Sequence, residues 1–486
     1  MAIDKVGPEL QFLIDRQKFD VNILVHGTPV VAGAPVEPSP VDRPTAVAEI
    51  ISRVTGLQHD LLADLETSAA RSFWLNNTIS ATVDRQTLDR LAARPDVLQI
   101  EVARRLPLQE ILDLRPDLAL LEDAFAALAG LALNDSEPIP SVTLIGAPQV
   151  WAAGITGTRS IVAVIDTGVH LDHPDLVNRL WDGGPDFPDH GFNFETPDTP
   201  PKDDNGHGTS TAGLIAGEGK VGKATGTAPG AKLMALRVGN EEGQAWGAFE
   251  FALTHGAHVI CMPMTWPSAT AYDRERWRRA CETVLALGVL HANSTGKDGG
   301  ENPDPPIPMN IGIPGSCPPP RLHPLQVPRA GVSSAISCGA TTPEGRLLGS
   351  SGRGPVAWEV SPFADYPFAN GQSSGLIKPD LCAPGAGIFS TNSQFENGLG
   401  PPHTSAFGTG TSPATAAIAG CLALLADACL AAGKPIVPAR ILEALESTAV
   451  PIPGQTKAKE NSFGAGQVDV QAAFEYGREP QRGWWG

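Results

Sequence analysis

The sequence predicts an α/β protein with a mainly parallel central sheet between two layers of helices, preceded by a small α+β module. From Leu144 onward, apolar runs recur between helix-like segments: Ile161 to Ile165, Leu233 to Val238, Val259 to Met264, Val289 to Ala292 and Ser334 to Cys338. Continuous apolar runs suit strands buried on both faces, and helices between them imply parallel crossovers. Between Phe19 and about Leu108 the pattern is instead strand, helix, two extended runs, helix, strand. The third observation is size: 486 residues, 42% hydrophobic and 18% charged, can bury a large core and fill more than one domain.

Residues 1–18 read as an N-terminal extension. The first module, 19–108, takes Val21 to Val25 as strand, Thr45 to Thr55 as helix and two extended runs around Ser72 to Val83. Gln86 to Ala93 follows as helix and Val97 to Val102 as strand. That β-α-β-β-α-β order is the ferredoxin-like one. Residues 109–143 form a connector, punctuated by Pro116 and the cluster Asn134 to Pro138, with one apolar helix inside it. The main body runs from 144 to 475, and the tail 476–486, ending Trp484-Trp485-Gly486, is expected to fray. Within the body, the proline density of 301–328 excludes strand and helix and marks a long loop insertion. The apolar stretches Leu118 to Leu133 and Ala414 to Ala432 contain acidic residues and read as buried helices rather than membrane spans.

A formal charge of −18 disfavours nucleic acid and anionic membrane as partners, because binding to phosphate needs excess Lys and Arg. Proteins and peptides remain. The first residues, Met1 to Pro8, lead into Asp15, Arg16, Lys18 and Asp20 without the apolar run of a secretory signal. A cytoplasmic location is therefore expected, with secretion by a non-standard route left open. The seven cysteines, at 261, 281, 317, 338, 382, 421 and 429, are odd in number and include no Cys-x-x-Cys. Neither disulfides nor zinc is indicated. Cys421 and Cys429 lie roughly 12 Å apart along one expected helix, too far for a bridge.

Three local patterns carry chemistry. Asp166 ends the apolar run Ile161 to Ile165, at the carboxyl end of a buried strand, where α/β proteins place their sites but also loop caps and ribose or metal ligands. His207, between Gly206 and Gly208, opens a run of small residues; alone it reads as a structural histidine. Ser412 looks like an N-cap with Pro413 at the first helical position, a capped core helix when taken by itself. Together they supply a nucleophile, a base to take its proton and a carboxylate to hold the base. The order Asp, His, Ser differs from the α/β-hydrolase order, which needs a histidine after the serine, and none follows position 403. Pro413 also lacks the N–H those enzymes use as an oxyanion donor, whereas Ser412 keeps its own.

On these residues the chain resembles the subtilisin-like serine protease (subtilase) family from about 144 to 475. Ile165-Asp166-Thr167-Gly168-Val169 with His173-Pro174-Asp175-Leu176 is similar to the family's aspartate motif. Asn205-Gly206-His207-Gly208-Thr209 is similar to its histidine motif and Gly410-Thr411-Ser412 to its serine motif. Supporting matches are Ala228 to Ala231, Lys378 to Gly385 and Gly464 to Asp469. The first module resembles the family's inhibitory propeptide, chiefly through Phe73 to Arg105. The resemblance implies a three-layer subtilisin-like fold and an endopeptidase using Asp166, His207 and Ser412. It also implies a first module that acts as an intramolecular inhibitor, with its C-terminal segment laid in the cleft.

Departures from the family pattern matter. Where the resemblance implies an asparagine donor to the oxyanion, alignment of Gly288 to Gly299 puts Lys297; Asn293 is the alternative, and the Ser412 backbone N–H the second donor. An ammonium can donate, though from a longer and floppier stem. The strand that usually reads Ser-Leu-Gly is Pro263-Met264-Thr265, and Thr265 is expected to crowd the peptide's approach. Peptide is expected between Met264 and Thr265 on one side and Ser294, Thr295 and Gly296 on the other. Asp175 matches a calcium-ligand position, but the loop Glu218 to Lys223 brings two lysines where a hard cation wants oxygens, so no metal or cofactor is expected. Two other readings stay open: a catalytically weak regulatory pseudoprotease, and a peptide transpeptidase or cyclase using the same triad.

Overall fold

The computed structural model describes residues 5–7, 10, 18–29, 42–65, 70–103, 105–108, 112, 137–267, 274–300, 303, 305–319, 333, 335–358, 366–368, 375–395, 401–404 and 408–485. In the first module, β1 (Phe19–Val25), β2 (Arg71–Phe73), β3 (Thr78–Val83) and β4 (Val97–Val102) form one sheet in the order β2-β3-β1-β4. All its pairs are antiparallel. Helices α1 (Arg43–Leu65) and α2 (Arg85–Ala92) bury Leu61, Leu65, Leu88 and Leu91 against Val21, Ile23, Ile79 and Ile100. Helix α1 runs ten residues past its expected end at Thr55, because Val54, Gln58, Leu61 and Leu65 keep one buried face across Gly56. Asp84 caps α2 by accepting the Thr87 N–H at 2.7 Å.

The body begins with α3 (Pro140–Leu144) and α4 (Ala147–Ala152). Its sheet contains β5 (Ile161–Asp166), β6 (Gly191–Asn193), β7 (Lys232–Arg237), β8 (Val259–Met262), β9 (Leu290–Ser294), β10 (Ile336–Thr341) and β11 (Leu381–Pro384). The order is β11-β10-β9-β8-β5-β7-β6, and every neighbouring pair is parallel. Interleaved are α5 (His207–Ala216), α6 (Glu242–Thr254) and α7 (Arg274–Ala286); a hairpin of β12 (Ser390–Thr391) and β13 (His403–Thr404) precedes α8 (Thr411–Ala431), α9 (Pro438–Thr448) and α10 (Val470–Arg478). Strand pleat divides the core in two. Val162 and Val164 of β5 face the layer that includes α5 and α8, while Ala163 and Ile165 face α6 and α7.

Among the described residues, α8 alone is long and apolar enough to cross a membrane, but 89% of its apolar window is buried by protein, as a core helix requires. Strand β8 ends at Met262 rather than Met264 because Pro263 has no N–H for the ladder. The body packs from before its expected start at 144: Ile139 and Val142 are core residues, and the Ile139 N–H donates to Ala224 O at 3.1 Å. The tail does not fray, since Trp485 is buried and its Nε1 donates to Phe474 O at 2.9 Å. The helix expected over Leu118 to Leu133 lies outside the described residues.

The first module sits on α6 and α7. Arg276, fully buried, donates to Glu101 Oε2 at 2.8 Å and to Asn22 O at 3.0 Å; Arg279 donates to Val25 O and Gly27 O. Phe73 meets Trp246 edge-on at 5.4 Å.

Candidate active site

Asp166 closes β5 in the middle of the sheet, between β7 and β8, and is fully buried. Its carboxylate faces His207, the first residue of α5, with Nδ1 at 2.7 Å from Oδ1 and 3.0 Å from Oδ2. A carboxylate accepts, so the proton on that nitrogen is assigned to Nδ1, which leaves Nε2 as the basic atom. Two further donors fix Asp166: the Thr167 N–H at 2.7 Å and Thr211 Oγ1 at 3.0 Å. Thr211 was not singled out in the sequence, although it lies four residues after His207, on the same helical face.

The loop before His207 is held by Asp203. It accepts from Thr167 Oγ1 and from the N–H groups of Asn205, Gly206 and Thr209. Gly208 permits α5 to approach β5 this closely, because a Cβ there would lie 2.0 Å from Gly168 O.

Ser412 is in the first turn of α8, but not as its cap. The helix starts at Thr411, Gly410 is the N-cap at φ +146°, and no side chain caps it. The positive φ at Gly410, a backbone conformation open to glycine, makes this turn, and it leaves the serine hydroxyl free of capping. Ser412 Oγ donates instead to Pro263 O at 3.1 Å. The Ser412 N–H is among the first four of the helix, which have no intrahelical acceptor.

The expected substrate edge is partly committed to the protein. Met264 pairs antiparallel with Leu112 of the connector. Thr265 is buried between Gly296 and Gly312; a Cβ on Gly312 would lie 2.6 Å from its Cβ. Across from it, Gly296 O accepts from the Gly352 N–H at 3.1 Å, and Thr295 N–H donates to Cys338 O at 3.3 Å. Ser294 ends β9, buried. Residues of the proline-rich segment line this region: Ile313 and Trp266 exchange backbone hydrogen bonds of 2.9 Å.

The two candidate oxyanion donors separate clearly. Asn293 is fully buried and spends its amide on Met262 O and Met264 O, where it ties β9 to the end of β8 and the residues after it. Lys297 Nζ donates to Leu112 O at 2.8 Å. Leu112 was not anticipated, since nothing in its local sequence distinguishes it from the rest of the connector.

A family model described as the subtilase family matches residues 157–466, and the chain belongs to that family. It is 30% identical over 300 residues to the major intracellular serine protease of Bacillus subtilis (strain 168), covering 60% of this chain and 76% of that one. To thermitase of Thermoactinomyces vulgaris it is 28% identical over 335 residues, 68% and 94% of the two chains. To subtilisin amylosacchariticus of Bacillus subtilis subsp. amylosacchariticus it is 25% identical over 424 residues, 86% and 85%. The three-layer α/β body is accordingly subtilisin-like, and the protein is a serine endopeptidase that acts on proteins.

Proposed function

We propose that Asp166, His207 and Ser412 form the catalytic triad of this endopeptidase, and that the first module restrains it. The observation that carries the triad is the buried Asp166–His207 pair at 2.7 Å, together with a serine in the first turn of α8 whose hydroxyl caps nothing and whose N–H has no intrahelical acceptor. In the reaction, Ser412 Oγ leaves Pro263 O, gives its proton to His207 Nε2 and attacks a peptide carbonyl. Asp166 steadies the imidazolium. The tetrahedral oxyanion takes hydrogen bonds from the Ser412 N–H and Lys297 Nζ. His207 then returns the proton to the leaving amine, and water hydrolyses the acyl-enzyme.

Restraint is supported by Leu112, which occupies the Met264 edge and holds Lys297 through its carbonyl. The subtilisin match, at 86% of the chain, must also begin within or before the first module. The organisation proposed is an extension, a propeptide-like module to about 108, a connector and the catalytic body. The relative named as an intracellular protease, together with seven free, buried cysteines, favours a cytoplasmic place of work.

Fluorophosphonate labelling tests the triad. Wild type should take one adduct at Ser412, faster once the first module is removed by limited proteolysis, and Ser412→Ala none. The bond from Ser412 Oγ to Pro263 O favours a second reading, a weak regulator, and an unlabelled wild type after removal of the module would select it.

A further inference from the structure

Asp175 lies nine residues after Asp166 and stands at a position where the family resemblance implies a calcium ligand. Its surroundings do not fit a cation. One carboxylate oxygen, Oδ1, accepts the backbone N–H groups of Lys220 and Val221. The other, Oδ2, pairs with His403 Nε2 at 3.1 Å. A hard cation requires oxygen ligands, whereas these three partners aim nitrogens and hydrogens at the carboxylate. Asp175 is fully buried and His403 nearly so, which leaves bulk water little part in satisfying either.

The arrangement joins three parts of the chain. Asp175 belongs to the segment that follows Asp166. Lys220 and Val221 belong to the loop that follows α5, the helix headed by His207. His403 is in β13, nine residues before Ser412. A second tie runs beside the first. The Asp175 N–H donates to His173 Nδ1 at 3.2 Å, so the proton of that ring is on Nε2, which meets Pro402 O at 3.0 Å. Pro402 O also accepts the Asn392 N–H at 2.9 Å, which closes the β12–β13 hairpin. Burial alone would raise the Asp175 pKa; His403 and the two amides outweigh it and hold the group below its ordinary value, as an ionised carboxylate.

We infer that Asp175 and His403 form a metal-free latch, positioning the segments that bear Asp166, His207 and Ser412 relative to one another. They are positioning residues, since neither touches the reacting atoms. The inference rests on the triad proposed above for its catalytic consequence, but not for its structural one. With protein donors in place of a cation, the Asp175 site gains nothing from calcium and loses nothing to a chelator.

The test uses the full chain in four forms: wild type, His403→Ala, His403→Gln and Asp175→Asn. Unfolding midpoints are measured by calorimetry in excess EDTA and in millimolar calcium, in a Ser412→Ala background that cannot digest itself. Steady-state kinetics on a chromogenic peptide are measured in the Ser412 background. The wild-type midpoint should be the same in EDTA and calcium, and His403→Ala should lower it by roughly 5–10 °C. In kinetics, His403→Ala should lower kcat about tenfold at near-constant KM, and His403→Gln, whose amide can still donate to Asp175, should recover most of both losses. Asp175→Asn should fall with His403→Ala.

A wild-type midpoint that drops in EDTA and returns with calcium overturns the inference. So does a His403→Ala chain with unchanged midpoint and kcat, or equal losses in the Ala and Gln variants, which would mean packing alone. Failure of the triad shows separately, as turnover retained by Ser412→Ala, and leaves the calorimetric outcome to decide the latch.

Discussion

Lys297 Nζ donates to the carbonyl oxygen of Leu112 at 2.8 Å, across 185 residues of sequence. An ammonium thereby holds a carbonyl of the protein's own connector at the residue that bridges to Met264. Lys297→Ala, assayed after removal of the first module, should lower kcat by about 10²- to 10³-fold with a small change in KM, because the lost bond strengthens only as the oxyanion forms. Unchanged turnover would remove Lys297 from the site.

Thr211 Oγ1 is the third donor to Asp166, at 3.0 Å. Thr211→Val keeps the shape and deletes the hydroxyl. The imidazole then rests on a less well-held carboxylate, and kcat should fall roughly 3- to 10-fold, the worth of one modest hydrogen bond. Peptide hydrolysis kinetics, with a circular dichroism control for folding, would measure it.

Glu250 of α6 accepts the Leu75 N–H of the first module at 2.9 Å. Desolvation beneath that module pushes its pKa up to about 8, against the opposing pull of the Leu75 and Trp74 N–H groups. The docked state thus binds a proton that the undocked state, with an ordinary carboxyl, has released. Docking should be strongest below about pH 4.5 and weaken through pH 8, at about 1.4 kcal/mol per pH unit. Module affinity, measured with a separately expressed body and module across that range, should lose most of this slope in Glu250→Gln.

Arg276 and Glu101 are buried partners across the same boundary, at 2.8 Å. Arg276→Ala leaves Glu101 desolvated without its guanidinium and should cost about 3–5 kcal/mol of stability in urea unfolding. The double replacement Arg276→Met with Glu101→Leu should cost far less, since the penalty lies in the stranded charge.

Two buried histidines, His173 and His291, and the half-buried His258 weigh on stability in acid. Burial lowers His173 and His258 to about 4 and His291 to about 3, with the Arg43 charge adding to the shift at His258 and Lys378 at His291. Unfolded chains take up these protons near pH 6.5, so stability is full above that value and falls as pH drops toward 4. The calorimetric midpoint should decline over that window, and His291→Asn should flatten the decline.

The buried strands β5, β7, β8, β9 and β10 were legible because each is a continuous apolar run. By contrast β6, β12 and β13 have two or three residues each, too few for any periodicity to register. Helix α1 was read as half its length because Gly56 resembles a stop, although the stripe of buried residues continues across it.

By itself the sequence determined which residues could do the chemistry: Asp166 at a strand end, His207 opening a helix of small residues, and Ser412 before an apolar helix. Each is marked by neighbours within a few positions. Tertiary structure alone decided what those groups touch. It engaged Asn293 with two strand carbonyls, turned Lys297 toward Leu112, took Ser412 out of its expected capping role and filled the surroundings of Asp175 with N–H donors. Hydrogen bonds act over about 3 Å, and the partners here are separated by tens to hundreds of residues. Only the packing of seven parallel strands brings them within that reach.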